Sequence, residues 1–342
     1  MSKGDRKDIT SYSPDEMKKF ILGLGEPSYR VGQIVEWLYQ KGVSNFDDMS
    51  NISKELRMKL KDAFFIRQPM VYKTIESEDA RSTKAIVKLA DDEIVESVFI
   101  KEKRWNTLCI SVQVGCPVAC RFCATGSIGF KRNLTIGEII GQVRLMRENI
   151  GEFRNIVFMG MGEPLLNYDN LIYSINIASK LFGIGKRRMV VSTVGFPDRM
   201  KRLADDGIKV KMALSLNATD DEKRNWLMPG VVGSINECIK ALDYYSGKAD
   251  IIGTVAYVLI GGINDSRVEA FKLLALIQKY RFKINLIPYN EAEGQGFKRP
   301  SESKIDEFFS ILKQGLNSVT VRNSFGCNIS AACGQLAGRK NL

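Results

Sequence analysis

The stretch Gly115-Cys-Pro-Val-Ala-Cys-Arg-Phe-Cys123 is the most informative part of this chain for its fold. Cys116, Cys120 and Cys123 follow a C-x3-C-x2-C spacing, with no fourth cysteine close by in the sequence. Cubane [4Fe–4S] clusters normally take four thiolates, so a loop with three leaves one iron open to a substrate or cofactor. The spacing therefore predicts a [4Fe–4S] cluster that takes part in chemistry.

A structural zinc site is the alternative interpretation of these thiols. Closed zinc sites need four Cys or His ligands, and the chain contains no histidine. A fourth ligand would have to come from Cys109, Cys238, Cys327 or Cys333, all of them distant in sequence or outside the loop. The spacing favours the iron–sulfur cluster.

Composition is typical of a globular protein with a basic surface. The 342 residues are 44% hydrophobic and carry a net charge of +11, which favours a polyanionic partner such as nucleic acid. Apolar runs such as 251–260 stop well short of the roughly 18 residues that a membrane span needs. Seven cysteines, three of them clustered, fit a reducing compartment. With no signal peptide predicted, we expect a cytoplasmic protein.

The first third of the chain divides into two predicted regions. Helical periodicity runs from Ser13 to Phe64, with Pro14 at the first turn after a serine cap, so residues 1–66 are expected to form a small helical domain. Alternating apolar residues in 84–89 and 93–100 predict a β-hairpin. Residues 67–104 are therefore expected to form a β linker.

Residues 105–342 alternate short β-rich runs with amphipathic stretches, which is typical of βα units around a parallel sheet. The predicted strands are 107–113, 155–161, 189–195, 210–217, 252–260 and 283–289, with a further strand at 318–322. Six βα units predict an α/β fold with an open, partial (β/α)6 barrel. Functional groups collect beyond the carboxyl ends of such strands. The polar residues found there are Cys116, Cys120, Cys123, Glu163, Ser192, Ser215, Asn217 and Asn290.

Several long motifs in the right order resemble the radical S-adenosylmethionine superfamily, and within it the RNA adenine methyltransferases of the RlmN and Cfr type. They are 107–116, 120–126, Met159-Gly-Met-Gly-Glu-Pro-Leu-Leu-Asn167, 283–290 and Ala331-Ala-Cys-Gly-Gln-Leu-Ala-Gly338. The resemblance extends nearly end to end. It implies that residues 1–66 are an accessory RNA-binding domain and that 105–342 form the radical barrel with a cysteine-bearing C-terminal segment.

The resemblance implies methylation of an adenine carbon through protein thiols, with two molecules of S-adenosylmethionine per turnover. Cys333 would take a methyl group from the first, and a radical made from the second would activate that methyl group for addition to the base. Cys109 would release the product by forming a transient disulfide with Cys333. Glu96 matches the family's proton acceptor, and Glu93 competes with it by chemistry alone.

The resemblance also implies which residues contact S-adenosylmethionine. They are Gly162, Glu163, Ser192, Ser215, Leu216, Asn217 and Asn290. Asn217 departs from the pattern, because relatives usually have histidine there, and asparagine cannot take up a proton. No family role falls to Cys238, which we expect to be buried, or to Cys327, which could form an off-pathway disulfide with Cys333.

Substrate and partners follow from the same resemblance. Pro164 favours methylation of C2 of an adenosine in 23S rRNA, protein-free or precursor, with tRNA as a second candidate substrate. Segments 123–126 and 322–326 look more like relatives that methylate C8 and confer resistance to ribosome-directed antibiotics. A monomer with a flavodoxin- or ferredoxin-type electron donor and no membrane partner is expected. The competing class is a non-catalytic iron–sulfur RNA-binding protein or redox sensor, which would need the cluster but neither Cys109 nor Cys333.

Overall fold

The computed structural model describes residues 6–292, 294–322 and 325–338. The helices are α1 (Pro14–Gly23), α2 (Tyr29–Val35), α3 (Lys54–Ala63), α4 (Ala124–Ser127), α5 (Ile136–Asn149), α6 (Tyr168–Phe182), α7 (Pro197–Asp205), α8 (Asp221–Leu227), α9 (Ile235–Ala249), α10 (Arg267–Ile277) and α11 (Glu302–Gly315). No helix in these ranges is both long and apolar enough to cross a membrane.

The strands alternate with these helices through most of the chain. They are β1 (Lys7–Asp8), β2 (Phe64–Phe65), β3 (Met70–Glu76), β4 (Ser82–Lys88), β5 (Ile94–Ile100), β6 (Thr107–Cys109), β7 (Gln113–Gly115), β8 (Phe130–Asn133), β9 (Asn155–Phe158), β10 (Met189–Thr193), β11 (Lys211–Ser215), β12 (Thr254–Leu259), β13 (Lys283–Pro288) and β14 (Val319–Val321).

Ten of the strands form one sheet in the order β14-β13-β12-β11-β10-β9-β6-β5-β4-β3. The strands from β6 to β14 in this sheet are parallel, which confirms the predicted α/β class and the order of the predicted strands. The first predicted strand is shorter than expected. It ends at Cys109 because Val112 and Gln113 donate to the Met161 carbonyl, and residues 113–115 then pair with β8 in a separate sheet.

The predicted hairpin is present as β4 and β5, which turn at Asp92 in a left-handed conformation (φ 65°). The sequence pattern missed β3, an edge strand that pairs antiparallel with β4. β5 also pairs antiparallel with β6. The strands β5, β4 and β3 therefore extend the barrel sheet beyond β6. The division of the chain at 66 and 104 stays a prediction.

Local sequence accounts for the helix boundaries that position the site. Helices α1, α5 and α9 begin at capping boxes, in which the N-cap hydroxyl and a glutamate three residues on satisfy each other's backbone N–H groups. Pro14 occupies the first turn of α1 as predicted. The N-terminal helices pack on α5 and α6, where Gln40 donates to the Leu181 carbonyl and Tyr173 donates to Asp15.

Candidate active site

A cavity of about 180 Å³ lies at the carboxyl ends of the parallel strands. Its lining includes most of the residues that the sequence singled out: Cys116, Cys120, Cys123, Gly162, Glu163, Ser192, Ser215, Asn217, Asn290 and Cys333. Leu216 does not line it, because its side chain is fully buried in the core and its N–H donates to Ala256. Residues more than 200 positions apart in the chain therefore share one cavity wall.

The cysteine loop is held by close backbone contacts. A Cβ atom at Gly126 would lie 2.7 Å from the Cys120 carbonyl oxygen, so only glycine fits without a shift. The Cys123 N–H donates to that carbonyl at 3.1 Å. Residues outside the loop contact it as well: the Arg121 N–H donates to the Leu227 carbonyl at 2.9 Å, and Gly230 packs against the backbone of Val118. These contacts fix the loop independently of any bound group.

Burial raises the pKa of Cys116 to about 12 and raises those of Cys120 and Cys123 as well. A bound cation reverses this, because a coordinating thiol is deprotonated outright. Within the described part of the chain, no three Cys, His, Asp or Glu side chains converge closely enough to hold a single metal ion. A cubane cluster needs no such convergence, since each thiolate binds a different iron, so three thiols along one cavity wall suit it.

Glu163 lies in the turn after β9 and is 3% exposed. Its two carboxylate oxygens accept hydrogen bonds from the backbone N–H groups of Leu165 (3.1 Å) and Val194 (2.9 Å). Burial raises the pKa of this carboxyl to about 7, although these hydrogen bonds oppose the shift. The Thr193 side chain also hydrogen-bonds this carboxylate, so three of its roughly four acceptor positions are used and one is left for a ligand in the cavity.

The glycines around Met161 serve the protein's own packing. A Cβ atom at Gly160 would lie 2.6 Å from the Ile110 backbone, and one at Gly162 would lie 2.5 Å from the Gln113 side chain. Gly162 also has a φ of 100°, which L side chains rarely adopt. Both line the cavity, but close approach to the chain that leads from β6 into β7 already requires them to be glycine.

Side chains at the carboxyl ends of β10 and β11 also line the cavity. The hydroxyl groups of Ser192 and Ser215 lie 3.3 Å apart. Asn217 is left-handed (φ 59°), a conformation that asparagine tolerates. Its amide accepts from the Val258 N–H at 2.9 Å and donates to the Met228 sulfur. Asn217 therefore joins the end of β11 to β12 and lines the cavity at the same time.

The segment that carries Cys333 lies between the cysteine loop and β13. The Cys333 thiol is exposed, and its carbonyl accepts from the Asn290 amide at 3.2 Å. On the other side, Ala124 donates to Gly334 at 2.7 Å and the Thr125 hydroxyl donates to Leu336 at 2.6 Å. Cys333 is thus docked directly beside the predicted cluster ligands.

A second, smaller cavity of about 40 Å³ is lined by Cys109 and Cys333 together. Burial raises the pKa of the Cys109 thiol to about 12, and the Arg322 guanidinium opposes that shift. Met159, Arg322 and Cys333 line both cavities. We call the part of the larger cavity lined by Cys116, Cys120 and Cys123 the three-cysteine wall. Cys333 is the one thiol among the described residues that borders both this wall and Cys109.

The two candidate proton acceptors have different surroundings. Glu96 is fully buried on β5 and lies 3.5 Å from the Lys84 ammonium, so it is not the exposed strand residue that a purely structural role would suggest. Its backbone carbonyl accepts from Ser111. Glu93 is partly exposed, and it pairs with Lys131 at 2.8 Å. Glu96 shares a face of the sheet with Val98 and Cys109 but lines neither cavity, whereas Glu93 forms a surface ion pair.

Sequence reasoning missed Arg322 and Lys84. Arg322 directly follows β14 and lines both cavities, so the rule that functional groups follow strand ends could have identified it. Lys84 carried no signal, because a lysine in an alternating strand is normally exposed.

Cys238 is buried as expected, and Arg224 donates to its sulfur. The Cys327 thiol contacts Asn290 at 3.5 Å, and all seven cysteines are free thiols.

Known proteins match this chain over nearly its full length. The family model for the ribosomal RNA large subunit methyltransferase N-terminal domain matches residues 7–66, and that for the radical SAM superfamily matches 110–275. A probable dual-specificity RNA methyltransferase RlmN of Dictyoglomus turgidum is 40% identical, covering 96% of each chain. The protein of the same description from Thermotoga maritima is 43% identical, covering 96% of this chain and 97% of its own.

A solved structure shares the fold as well as the sequence. The crystal structure of a radical SAM methyltransferase from Sphaerobacter thermophilus superposes with a TM-score of 0.87 at 36% identity. The match covers 97% of this chain and 100% of that chain. The N-terminal helices, the antiparallel strands and the barrel are thus all within the compared region.

Proposed function

The chain belongs to the RlmN family of radical S-adenosylmethionine RNA methyltransferases, and from this premise we propose that it methylates C2 of an adenosine in 23S rRNA and in tRNA. Membership implies a [4Fe–4S] cluster and S-adenosylmethionine as cofactors. The single observation that carries the proposal is the position of Cys333, which borders the three-cysteine wall through one cavity and Cys109 through another. A cluster-bearing sensor would need only the first of these features.

Cys116, Cys120 and Cys123 would hold the cluster, and the rest of the larger cavity would hold S-adenosylmethionine. The donor set suits the cofactor: Glu163 keeps one acceptor position for an ammonium or hydroxyl group, and Ser192 and Ser215 supply hydroxyl groups in the same cavity. Asn217 can accept or donate but cannot titrate. When bound, the cluster and S-adenosylmethionine supply a radical that removes a hydrogen atom from an otherwise unreactive methyl group.

Cys333 would act as the carrier of the transferred carbon. Its thiolate would attack the methyl carbon of one S-adenosylmethionine, so that an S–CH3 bond forms on Cys333 as the C–S bond of the donor breaks and S-adenosylhomocysteine leaves. Cys333 is exposed and lines the larger cavity, which supports this role. After activation, the sulfur-bound carbon adds to C2 of adenine, which ties the RNA covalently to Cys333.

Glu96 and Cys109 would complete the reaction. The adduct radical would pass one electron to an oxidised one-electron carrier of the flavodoxin or ferredoxin type and its C2 proton to Glu96. The Cys109 thiolate then bonds to the Cys333 sulfur, and the methylene carbon takes the electron pair of the broken C–S bond and a proton to become the methyl group. A thiol reductant afterwards reduces the disulfide. The cavity shared by Cys109 and Cys333 supports this pairing.

The substrate and setting complete the proposal. An adenine must leave its stack to reach a cavity at the strand ends, so we expect a loop or an unfolded rRNA precursor to be modified rather than a duplex. The net charge of +11 supports binding to the phosphate backbone. We propose that the protein works in the cytoplasm as a monomer and receives electrons from a flavodoxin- or ferredoxin-type donor.

An anaerobic assay tests the proposal. Reconstituted protein, S-adenosylmethionine, a one-electron donor and protein-free rRNA from a host lacking its own enzyme should yield 2-methyladenosine, 5′-deoxyadenosine and S-adenosylhomocysteine. The variant Cys333→Ala should lose methylation and keep cluster absorbance. Formation of 8-methyladenosine without 2-methyladenosine would overturn the C2 assignment, and equal methylation by the variant would overturn the thiol mechanism.

A further inference from the structure

A buried ion pair lies on the barrel-facing side of the antiparallel strands. Lys84 on β4 and Glu96 on β5 are both fully buried, with Lys84 Nζ 3.5 Å from Glu96 Oε2. That oxygen has no hydrogen-bond partner, so the contact is electrostatic. Burial carries a desolvation penalty that attraction between the charges offsets only in part. Stabilisation of the fold alone therefore does not explain this ion pair. Its other contacts indicate its role.

Both members of the pair reach the chain segment that carries Cys333. Lys84 Nζ donates to the Ser330 carbonyl at 3.3 Å. Glu96 Oε1 accepts from the Gly338 N–H at 2.9 Å. These two contacts lie at opposite ends of segment 330–338, with Cys333 between them. The pair thus fastens both ends of the segment to the same two strands.

Strand register aligns the pair with the smaller cavity. Val98 is the cross-strand partner of Lys84 on one side and of Cys109 on the other. Because paired residues and alternate residues share a face, Lys84, Glu96, Val98 and Cys109 lie on one face of the sheet. Val98, Cys109 and Cys333 line the smaller cavity. The clamped segment therefore covers this face.

We infer that Lys84 is a positioning residue that, together with Glu96, clamps segment 330–338 so that the Cys333 thiol faces Cys109. The function of Cys333 as carbon carrier rests on the proposed function, but the clamp itself does not. Ala124 and Thr125 hold the middle of the segment from the cysteine-loop side. Without Lys84, the Ser330 carbonyl loses this donor and Glu96 loses its counter-charge.

The test compares Lys84→Met with Lys88→Met. Lys88 lies on the same strand but pairs with Asp92 at the surface, so the matched control removes a lysine without touching the clamp. Hydrogen exchange of the cluster-loaded protein, read by mass spectrometry on peptides spanning 326–338, reports on the clamp. The N–H groups of Ser330 and Ala331 donate to Cys327 and Gly326 and exchange when the segment opens.

We expect Lys84→Met to speed exchange across this segment by at least about tenfold, with unchanged exchange in β12. Lys88→Met should exchange like wild type.

A second readout is disulfide partition in an anaerobic glutathione buffer, where oxidised glutathione takes two electrons from two thiols and leaves as two reduced molecules. Lys84→Met should lower the share of Cys109–Cys333 and raise that of Cys327–Cys333. Lys84→Arg, which keeps the charge, should restore much of the wild-type partition.

The double variant Lys84→Met/Glu96→Gln removes both charges and keeps an acceptor for Gly338. It should fold with near wild-type stability, protect the Gly338 end and still exchange rapidly at 330–332. Wild-type exchange and wild-type disulfide partition in either folded variant would overturn the clamp. Failure of the double variant to fold would also count against it, because the pair would then serve the fold. Neither readout needs RNA methylation, so a failed methylation assay leaves this test intact.

Discussion

Substitution of Gly126 by alanine is expected to loosen the hold of the cysteine loop on its cluster. The added Cβ atom would lie 2.7 Å from the Cys120 carbonyl oxygen and 2.8 Å from its nitrogen, where ordinary contact begins at 3.4 Å. The Cys120 backbone must therefore shift by about 0.7 Å away from residue 126. Cys120 lies between the other two thiols, Cys116 and Cys123, in the sequence. Overpacking of this kind costs about 1–3 kcal/mol. If the cluster-bound loop is destabilised by about 2 kcal/mol relative to the empty loop, the loop binds its cluster roughly thirtyfold more weakly.

The assay is iron and sulfide content after anaerobic reconstitution, followed by the rate of iron loss to a chelator. Gly247→Ala is the matched control, because Gly247 lies in α9 with nothing within 4 Å of the added atom. This control should stabilise the fold by about 0.5–1 kcal/mol through helix propensity and leave iron retention unchanged. A Gly126→Ala protein that retains iron as firmly as wild type would refute the argument that packing fixes the loop.

Other variants test the remaining parts of the site. Cys109→Ser should stall release, so that a covalent protein–RNA adduct accumulates on denaturing gels; normal turnover without adduct would exclude Cys109 as the resolving thiol. Glu96→Gln should slow 2-methyladenosine formation, whereas Glu93→Gln, which changes a surface pair, should methylate at the wild-type rate; the reverse order would favour Glu93. Asn217→Ala should cost about 1–3 kcal/mol in urea unfolding, because the Val258 N–H loses its acceptor and a left-handed alanine is strained; an unchanged midpoint would contradict this.

The sequence pattern predicted the central parallel strands of the barrel better than the edge strand β3 and the end of β6. The central parallel strands are short β-rich runs between amphipathic stretches, so β9 to β13 were placed correctly. β3 was missed because its residues are mostly exposed and an edge strand has only one neighbour to bury it. The early end of β6 could not be predicted either, since hydrogen bonds from residues 112 and 113 to Met161 depend on a turn 50 residues away.

The candidate site was predictable where chemistry follows strand ends. This rule, with the family motifs, located the cavity-lining cysteines, Glu163 and the two serines. The packing role of Gly160 and Gly162 could not be read from the motif, because it depends on the chain that leads from β6 into β7. Lys84 was equally hidden, since its burial results from the cover provided by segment 330–338, which lies about 250 residues further along the chain.

The central claim is that Cys333 carries the transferred carbon, and one isotope experiment tests it most directly. Protein is incubated anaerobically with S-adenosylmethionine labelled with ¹³C in its methyl group, without an electron donor, and is then desalted. Unlabelled S-adenosylmethionine, a one-electron donor and rRNA are added for a single turnover. The first 2-methyladenosine formed should contain ¹³C, which would have passed through Cys333. A first product that contains only unlabelled methyl groups would contradict the account.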